Sequence, residues 1–228
     1  MIVKLASMDD LIKGIKIRAN HVLIVFDWRR AGSWCGLAGP VFFIALWSAA
    51  VASTPGYRVG EQWVSDLGVG EGAIYFNSGV IVAGILAIPF AVSLGAVLRP
   101  QILGIIGSCV MVMAGAALMG IGIFTEDVGE IHWIVSVAFF SLITITLFLF
   151  IWPFHKSNAM RPWSAPFTAI IFSIGMIIAA ATGFGPLTET VVVFLIAIWS
   201  LVIAWKLRYH LCIVLRRPKV GTSDDPSG

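Results

Sequence analysis

The sequence predicts an all-α integral membrane protein, a polytopic bundle of about six transmembrane helices. Hydrophobic residues make up 59% of the chain and charged residues only 12%, whereas a soluble domain carries about 25% charged residues. The charges gather between long uncharged runs. A soluble core cannot absorb so many uncharged stretches, but a bilayer solvates the outward faces of apolar helices. Lysine and arginine also fall almost entirely on one side of the predicted spans.

Six apolar runs are each long enough to cross a hydrocarbon core of about 30 Å. They cover approximately residues 32–54, 72–97, 101–124, 131–153, 165–184 and 188–208, and a continuation of the sixth run toward Leu215 stays open. Turn-forming residues separate the runs: Pro55 follows the first, Pro100 the second and Pro186 the fifth. We predict that the fourth span ends at Pro153. Pro89 lies inside the second span and predicts a kink there.

The positions of lysine and arginine predict the orientation, because cytoplasmic loops carry an excess of these residues. With both termini in the cytoplasm, the outer segments contain only Arg58. The inner segments then contain the other basic residues, which are Lys4, Lys13, Lys16, Arg18, Arg29, Arg30, Arg99, Lys156, Arg161, Lys206, Arg208, Arg216, Arg217 and Lys219. We therefore predict a multi-pass protein of the cell membrane whose basic inner rim contacts membrane lipids, including anionic lipid of the inner leaflet. The basic residues form no separate domain, so the pattern gives no indication of nucleic-acid binding.

Three regions are predicted. Residues 1–30 form an amphipathic helix, which either lies in the cytoplasmic interface of the bilayer or packs on the inner end of the bundle. Residues 31–210 form the six-helix transmembrane domain, and residues 211–228 form a basic and then disordered cytoplasmic tail.

Small residues at four-residue spacing predict where helices approach each other closely. Gly32 and Gly36 have this spacing on the first span. The third span has it twice, at Gly104 and Ser108 and again at Ala116 and Gly120. This pattern predicts that the third span occupies the centre of the bundle.

The predicted outer face is strongly acidic. It carries Glu61, Asp66, Glu71, Glu126, Asp127, Glu130 and Glu189. His132 is the only histidine on that side. If the second, third and fourth helices meet, several polar residues converge in one outer pocket. The ligand-binding residues predicted for this pocket are Asp66, Asn77, Glu126, Asp127, Glu130 and His132.

Ser65, Asp66 and His132 have the residue types of a hydrolase triad, in which a hydroxyl needs a base and the base an orienting carboxylate. Adjacent serine and aspartate side chains rarely point to one imidazole, however. The structural alternatives are that Ser65 and Asp66 cap a helix, that Asn77 bridges helices, and that His132 bonds Glu130 or a loop carbonyl.

One histidine with several carboxylates is a poor zinc site but suits a hard cation such as calcium. The candidate metal ligands are Asp66, Glu126, Asp127 and His132. No Cys-ligated metal is expected, because the three cysteines (Cys35, Cys109 and Cys212) have no metal-ligand spacing. No haem is expected either, because the remaining histidines (His21, His155 and His210) all fall near the inner boundary. The sequence identifies no other cofactor.

Several short motifs resemble a known family. These are Ser65-Asp66-Leu67-Gly68, then Phe76-Asn77-Ser78-Gly79, then Gly122-Ile123-Phe124 with Glu126 and Asp127, and finally His132 followed by Phe139-Phe140. Together they resemble the prokaryotic multi-pass membrane family catalogued as domain of unknown function 998. The resemblance covers approximately residues 32–208 and implies a six-helix bundle but no reaction. The recurrent Ser-Asp, Asn and His positions of that family correspond to Ser65, Asp66, Asn77 and His132.

Three classes of function stay open. The favoured class is a membrane protein of unassigned activity whose acidic outer pocket takes a lipid or a cation. The first alternative is a membrane-embedded enzyme that acts on a lipid or isoprenoid head group, with His132 as base. The second alternative is a small-solute or proton transporter, for which Pro89 is the main indication of a broken helix.

Overall fold

The computed structural model describes residues 28–216, with side chains as far as residue 212. Within this part of the chain, the regular structure is helical. Six long helices run through it: α1 (Trp28–Ser53), α2 (Ala73–Val97), α3 (Ile102–Ile123), α4 (Glu130–Lys156), α5 (Ser164–Thr182) and α6 (Pro186–Arg216). Two short 3₁₀ helices, η1 (Val64–Gly68) and η2 (Glu126–Val128), precede α2 and α4.

All six long helices have the length and hydropathy needed to cross a membrane, which confirms the predicted fold class. The predicted ends agree to within a few residues. The last helix continues to Arg216, in agreement with the longer of its two predicted ends, and α4 runs past Pro153 to Lys156. A proline removes only its own N–H from the helical ladder, and membrane helices accommodate it. Ser157, in extended conformation, is where α4 ends.

The six helices form a closed ring. Each packs against its neighbours in the chain, and α6 returns to pack against α1. This arrangement differs from the prediction that the third span occupies the centre, because a ring has no central helix. The small residues of α3 instead allow close packing against a neighbouring helix. A Cβ atom on Gly115 would lie 3.1 Å from the carbonyl oxygen of Gly84 on α2.

Aromatic side chains fill one half of the space inside the ring of helices. The phenyl group of Phe150 stacks on the side chains of Phe154 and Trp199, with centroid distances of 5.2 and 6.1 Å. Phe90 lies 6.4 Å from Trp199, and all four side chains are fully buried. The indole N–H of Trp199 donates to the hydroxyl of Thr168 at 3.0 Å, so the polar atom of this layer is satisfied.

The two ends of the ring differ in charge. At the end that carries η1, η2 and the α5–α6 turn, which we call the acidic end, Arg58 is the only basic residue within the described chain. The opposite end, which we call the basic end, carries Arg29, Arg30, Arg99, Lys156, Arg161, Lys206 and Arg208. Four of these cations lie over tryptophan rings, a contact typical of the membrane interface.

The assignment of the basic end to the cytoplasm stays a prediction, as do the three regions. Most of the amphipathic helix predicted for residues 1–30, and the end of the predicted tail, lie outside the described residues.

Candidate functional site

The short helix η1 lies at the acidic end and is held there by carboxylates from two elements. The Asp66 side chain accepts a hydrogen bond from the backbone N–H of Trp63 at 3.0 Å. Glu189, in the first turn of α6, accepts one from the N–H of Val64 at 2.6 Å and another from the N–H of Ser65. Both carboxylates therefore satisfy N–H groups at the positive end of the same helix.

The other end of η1 is fixed by Asn77 on α2. The Asn77 amide donates to the carbonyl of Gly68 at 3.0 Å. A Cβ on Gly68 would lie 2.8 Å from the side-chain oxygen of Asn77, and one on Gly122 of α3 would lie 2.7 Å from its backbone oxygen. Asn77 thus joins η1, α2 and α3, as expected for a residue that bridges helices.

Three carboxylates meet beside η1: Asp66, Glu126 and Glu189. Glu126 is hydrogen-bonded to Asp66, and two carboxylates can share a hydrogen bond only when one is protonated. Burial, and then the hydrogen bond to Asp66 and the charges of Asp66 and Glu189, together raise the pKa of Glu126 to about 7. We call these three side chains the acidic cluster.

Tyr57 borders the acidic cluster. Its hydroxyl donates to the carbonyl of Trp63 at 3.2 Å. Burial, and then the charges of Glu189 and Asp66, raise the pKa of Tyr57 to about 12. The phenol therefore stays protonated at neutral pH and remains a donor that helps to hold η1.

The remaining predicted acidic ligands lie apart from the acidic cluster, on the surface. Asp127 accepts a hydrogen bond from the hydroxyl of Thr125 and is exposed. Glu130 is the first residue of α4 and is exposed. Glu61, which belongs to the acidic outer face but not to the predicted ligands, forms a surface ion pair with Arg58 at 3.2 Å.

His132 is buried, and its two ring nitrogens bond groups other than carboxylates. Nδ1 lies 2.7 Å from the carbonyl oxygen of Phe124, and Nε2 lies 3.4 Å from the hydroxyl of Ser136. Because a carbonyl only accepts, Nδ1 carries the proton. This bond is the one expected in the structural alternative, in which His132 bonds a loop carbonyl. It joins the start of α4 to the end of α3.

The hydrogen bonds around Ser65, Asp66 and His132 are not those of a catalytic triad. A triad needs a hydroxyl–imidazole bond and an imidazole–carboxylate bond. Here Asp66 bonds Trp63 and Glu126, and His132 bonds Phe124 and Ser136. Within the described chain, no group of three or more His, Cys, Asp or Glu side chains is arranged to hold a metal ion.

Beneath η1 an apolar cavity of about 120 Å³ extends into the ring. Five helices, all except α5, contribute to its lining. On α6 the lining runs from Glu189 to Ser200, which corresponds to about 16 Å along the helix axis. Small residues on three helices are part of the lining: Gly36, Gly39, Ala83, Ala87, Ala114 and Gly115.

Glu189 is the only Asp or Glu in this lining. It joins the acidic cluster to the cavity. The sequence places Glu189 on the acidic outer face, and it is not one of the predicted ligands. The signal that points to it is its position in the first turn of the last span, because ionisable residues within membrane helices are costly and often functional.

Comparison with known proteins identifies a family. A family model described as "Protein of unknown function (DUF998)" matches residues 37–206, which include η1, the acidic cluster and all of the cavity lining except Cys35 and Gly36. No curated protein and no solved structure matches the chain. Because the family model covers most of the sequence, the chain belongs to the DUF998 family of proteins of unknown function.

Proposed function

We propose that the protein binds one amphiphile, with its hydrocarbon chain in the cavity and its head group at the acidic cluster. The observation that carries this proposal is an apolar cavity whose lining contains a single carboxylate, Glu189, at one end. Ligand sites of this kind combine apolar walls with a few polar groups that fix the orientation of the ligand.

The size and shape of the cavity support a chain-like occupant. An apolar cavity costs about 24 cal/mol per Å³ when it is left empty, so a volume of about 120 Å³ corresponds to roughly 3 kcal/mol. Its length of about 16 Å is half of a hydrocarbon core of about 30 Å. A single acyl or isoprenoid chain fills such a space with apolar contacts along its whole length.

The charges at the mouth favour a head group that donates hydrogen bonds. Asp66 and Glu189 offer carboxylate oxygens, and Glu126 exchanges its proton near neutral pH. An anionic head group would be repelled by these groups, whereas a hydroxyl or an ammonium group would be bound.

The test is to identify what copurifies with the protein. The full chain is purified in a mild detergent, extracted with organic solvent and analysed by mass spectrometry. We expect one amphiphile per chain, enriched over its abundance in the membrane. Saponification separates the two sources of the chain, because it releases fatty acids from an acyl lipid but not from an isoprenoid alcohol.

Matched alanine positions on α3 test the location. Ala114 lines the cavity and Ala116 is exposed on the outer surface of the same helix. We expect Ala114→Leu to abolish the enrichment and Ala116→Leu to leave it unchanged. Equal amounts of bound amphiphile in both variants and the wild type would refute the proposal.

Glu189→Gln tests the head-group end. Glutamine keeps a side-chain oxygen that can accept from Val64 but removes the negative charge. If the head group is an ammonium, this variant loses the amphiphile. If the head group is a hydroxyl, the variant keeps it, because the amide oxygen still accepts a hydrogen bond.

A further inference from the structure

We propose that the groove between α4 and α5 at the basic end binds an anionic phospholipid, at a site separate from the cavity. The groove is lined by Ile151, Trp152, His155, Ala165, Pro166 and Ala169. Ala165 and Ala169 are one turn apart on α5 and face the larger side chains of α4. Because α5 packs less extensively on α4 than α1 does on α2, an open apolar channel remains between them.

Two cations border this groove. The ammonium of Lys156, the last residue of α4, lies 4.8 Å from the ring centroid of Trp152. The Nε of Arg161 donates to the carbonyl of His155 at 2.7 Å, which anchors the guanidinium over the same end of α4. Both side chains are exposed, so they can contact a ligand without rearrangement of the core.

Lys206 on α6 adds positive charge near the start of α5. Lys206 lies 5.2 Å from the ring centroid of Trp163, which directly precedes α5. The N-terminus of α5 points to the same end and contributes the partial positive charge of its free N–H groups. Within the described residues, all Asp and Glu side chains lie at the acidic end or in the loops beside it.

These features fit a phospholipid with a net negative charge. The acyl chain would occupy the apolar groove, and the phosphate would lie between Lys156 and Arg161. The exposed rings of Trp152 and Trp163 are amphipathic and suit the level of the lipid head groups. The lining of the cavity beneath η1 contains one carboxylate, Glu189, and no lysine or arginine, so the two sites differ in charge.

Native mass spectrometry of the detergent-purified chain tests this site. The protein is titrated with phosphatidylglycerol and, in parallel, with phosphatidylcholine. We expect the wild type to bind phosphatidylglycerol more tightly. Lys156→Gln and Arg161→Gln should each weaken that binding about fivefold, because each loses one basic contact with an anionic lipid. Lys156→Arg should retain it.

Arg99 provides the matched control, since it is exposed at the basic end in the α2–α3 turn, outside the groove. Arg99→Gln should change phosphatidylglycerol binding less than twofold. Ala169→Phe, which fills the groove without changing the charge, should weaken it in protein that still elutes as a single species. Equal affinities for the two lipids would overturn the proposal, as would an equal effect of Arg99→Gln and Lys156→Gln. Ala114→Leu should have no effect, so this result is independent of the cavity ligand.

Discussion

At the scale of single residues, the central feature is the protonation of Glu126 beside Asp66. The pKa of Glu126 is raised from 4.5 to about 7 in the folded protein, chiefly by burial. The folded state therefore retains a proton that the unfolded state releases between these two pH values. Since the folded state then binds more protons, this group makes the free energy of unfolding fall as pH rises through that range, with no further loss above it.

Glu126→Gln should remove this dependence. We expect the apparent Tm of the variant, relative to wild type, to rise between about pH 4.5 and pH 7 and then to level off. The corresponding gain in the free energy of unfolding should be at most about 1 kcal/mol, because the half-buried side chain is screened by solvent. Tryptophan fluorescence during heating measures the Tm. Glu130→Gln, at an exposed carboxylate nearby, is the control and should show a smaller pH-dependent difference. A pH-independent difference for Glu126→Gln would contradict the protonation of Glu126.

At the scale of the elements, the long helices could be predicted and η1 could not. Within a bilayer, each segment must satisfy its own backbone hydrogen bonds, so an apolar run forms a helix. Hydropathy alone therefore gives the approximate ends of each long helix. The position of η1 depends on contacts between distant residues, above all the bond from Val64 to Glu189 on the last helix. No periodicity in the sequence reports such a contact. The short motifs at Ser65-Asp66, Asn77 and Gly122 indicated that these segments matter, but not that they form one packed corner.

Gly122→Ala should disrupt that corner. A Cβ there would lie 2.7 Å from the backbone oxygen of Asn77 and 2.8 Å from a side-chain carbon of Ile81, so α2 and α3 must move apart. We expect a loss of about 1–3 kcal/mol in the free energy of unfolding. Gly175→Ala on α5 is the matched control, because its added Cβ meets open space and alanine favours the helix. Similar stabilities of the two variants, measured by thermal unfolding in the same detergent, would argue against close packing at Gly122.

At the scale of the whole molecule, the number of spans could be predicted and the ring could not. Glycine spacing indicates that two helices approach closely, but it does not identify the partner. The prediction that α3 is central was wrong for that reason: small residues occur on α1, α2 and α3 alike, where they pack adjacent helices and also leave space for the cavity. A ring with a cavity and a central helix with a solid core produce the same apolar runs. The distribution of charge between the two ends, by contrast, follows directly from the order of spans and loops.

That distribution predicts how the protein lies in the membrane. Because lysine and arginine in short loops favour the cytoplasmic side, the basic end should face the cytoplasm and the acidic end the outside. Val69 and Pro100 are exposed, uncharged and at opposite ends. Val69→Cys and Pro100→Cys therefore leave the charge pattern intact, in a background from which Cys35, Cys109 and Cys212 have been removed. In intact cells, a membrane-impermeant maleimide should label the cysteine at position 69 and reach the one at position 100 only after permeabilisation, as it should for Ser223→Cys in the tail. Labelling of positions 69 and 100 from the same side would contradict the six-span topology, and the reverse order of labelling would contradict the orientation and place the acidic cluster in the cytoplasm.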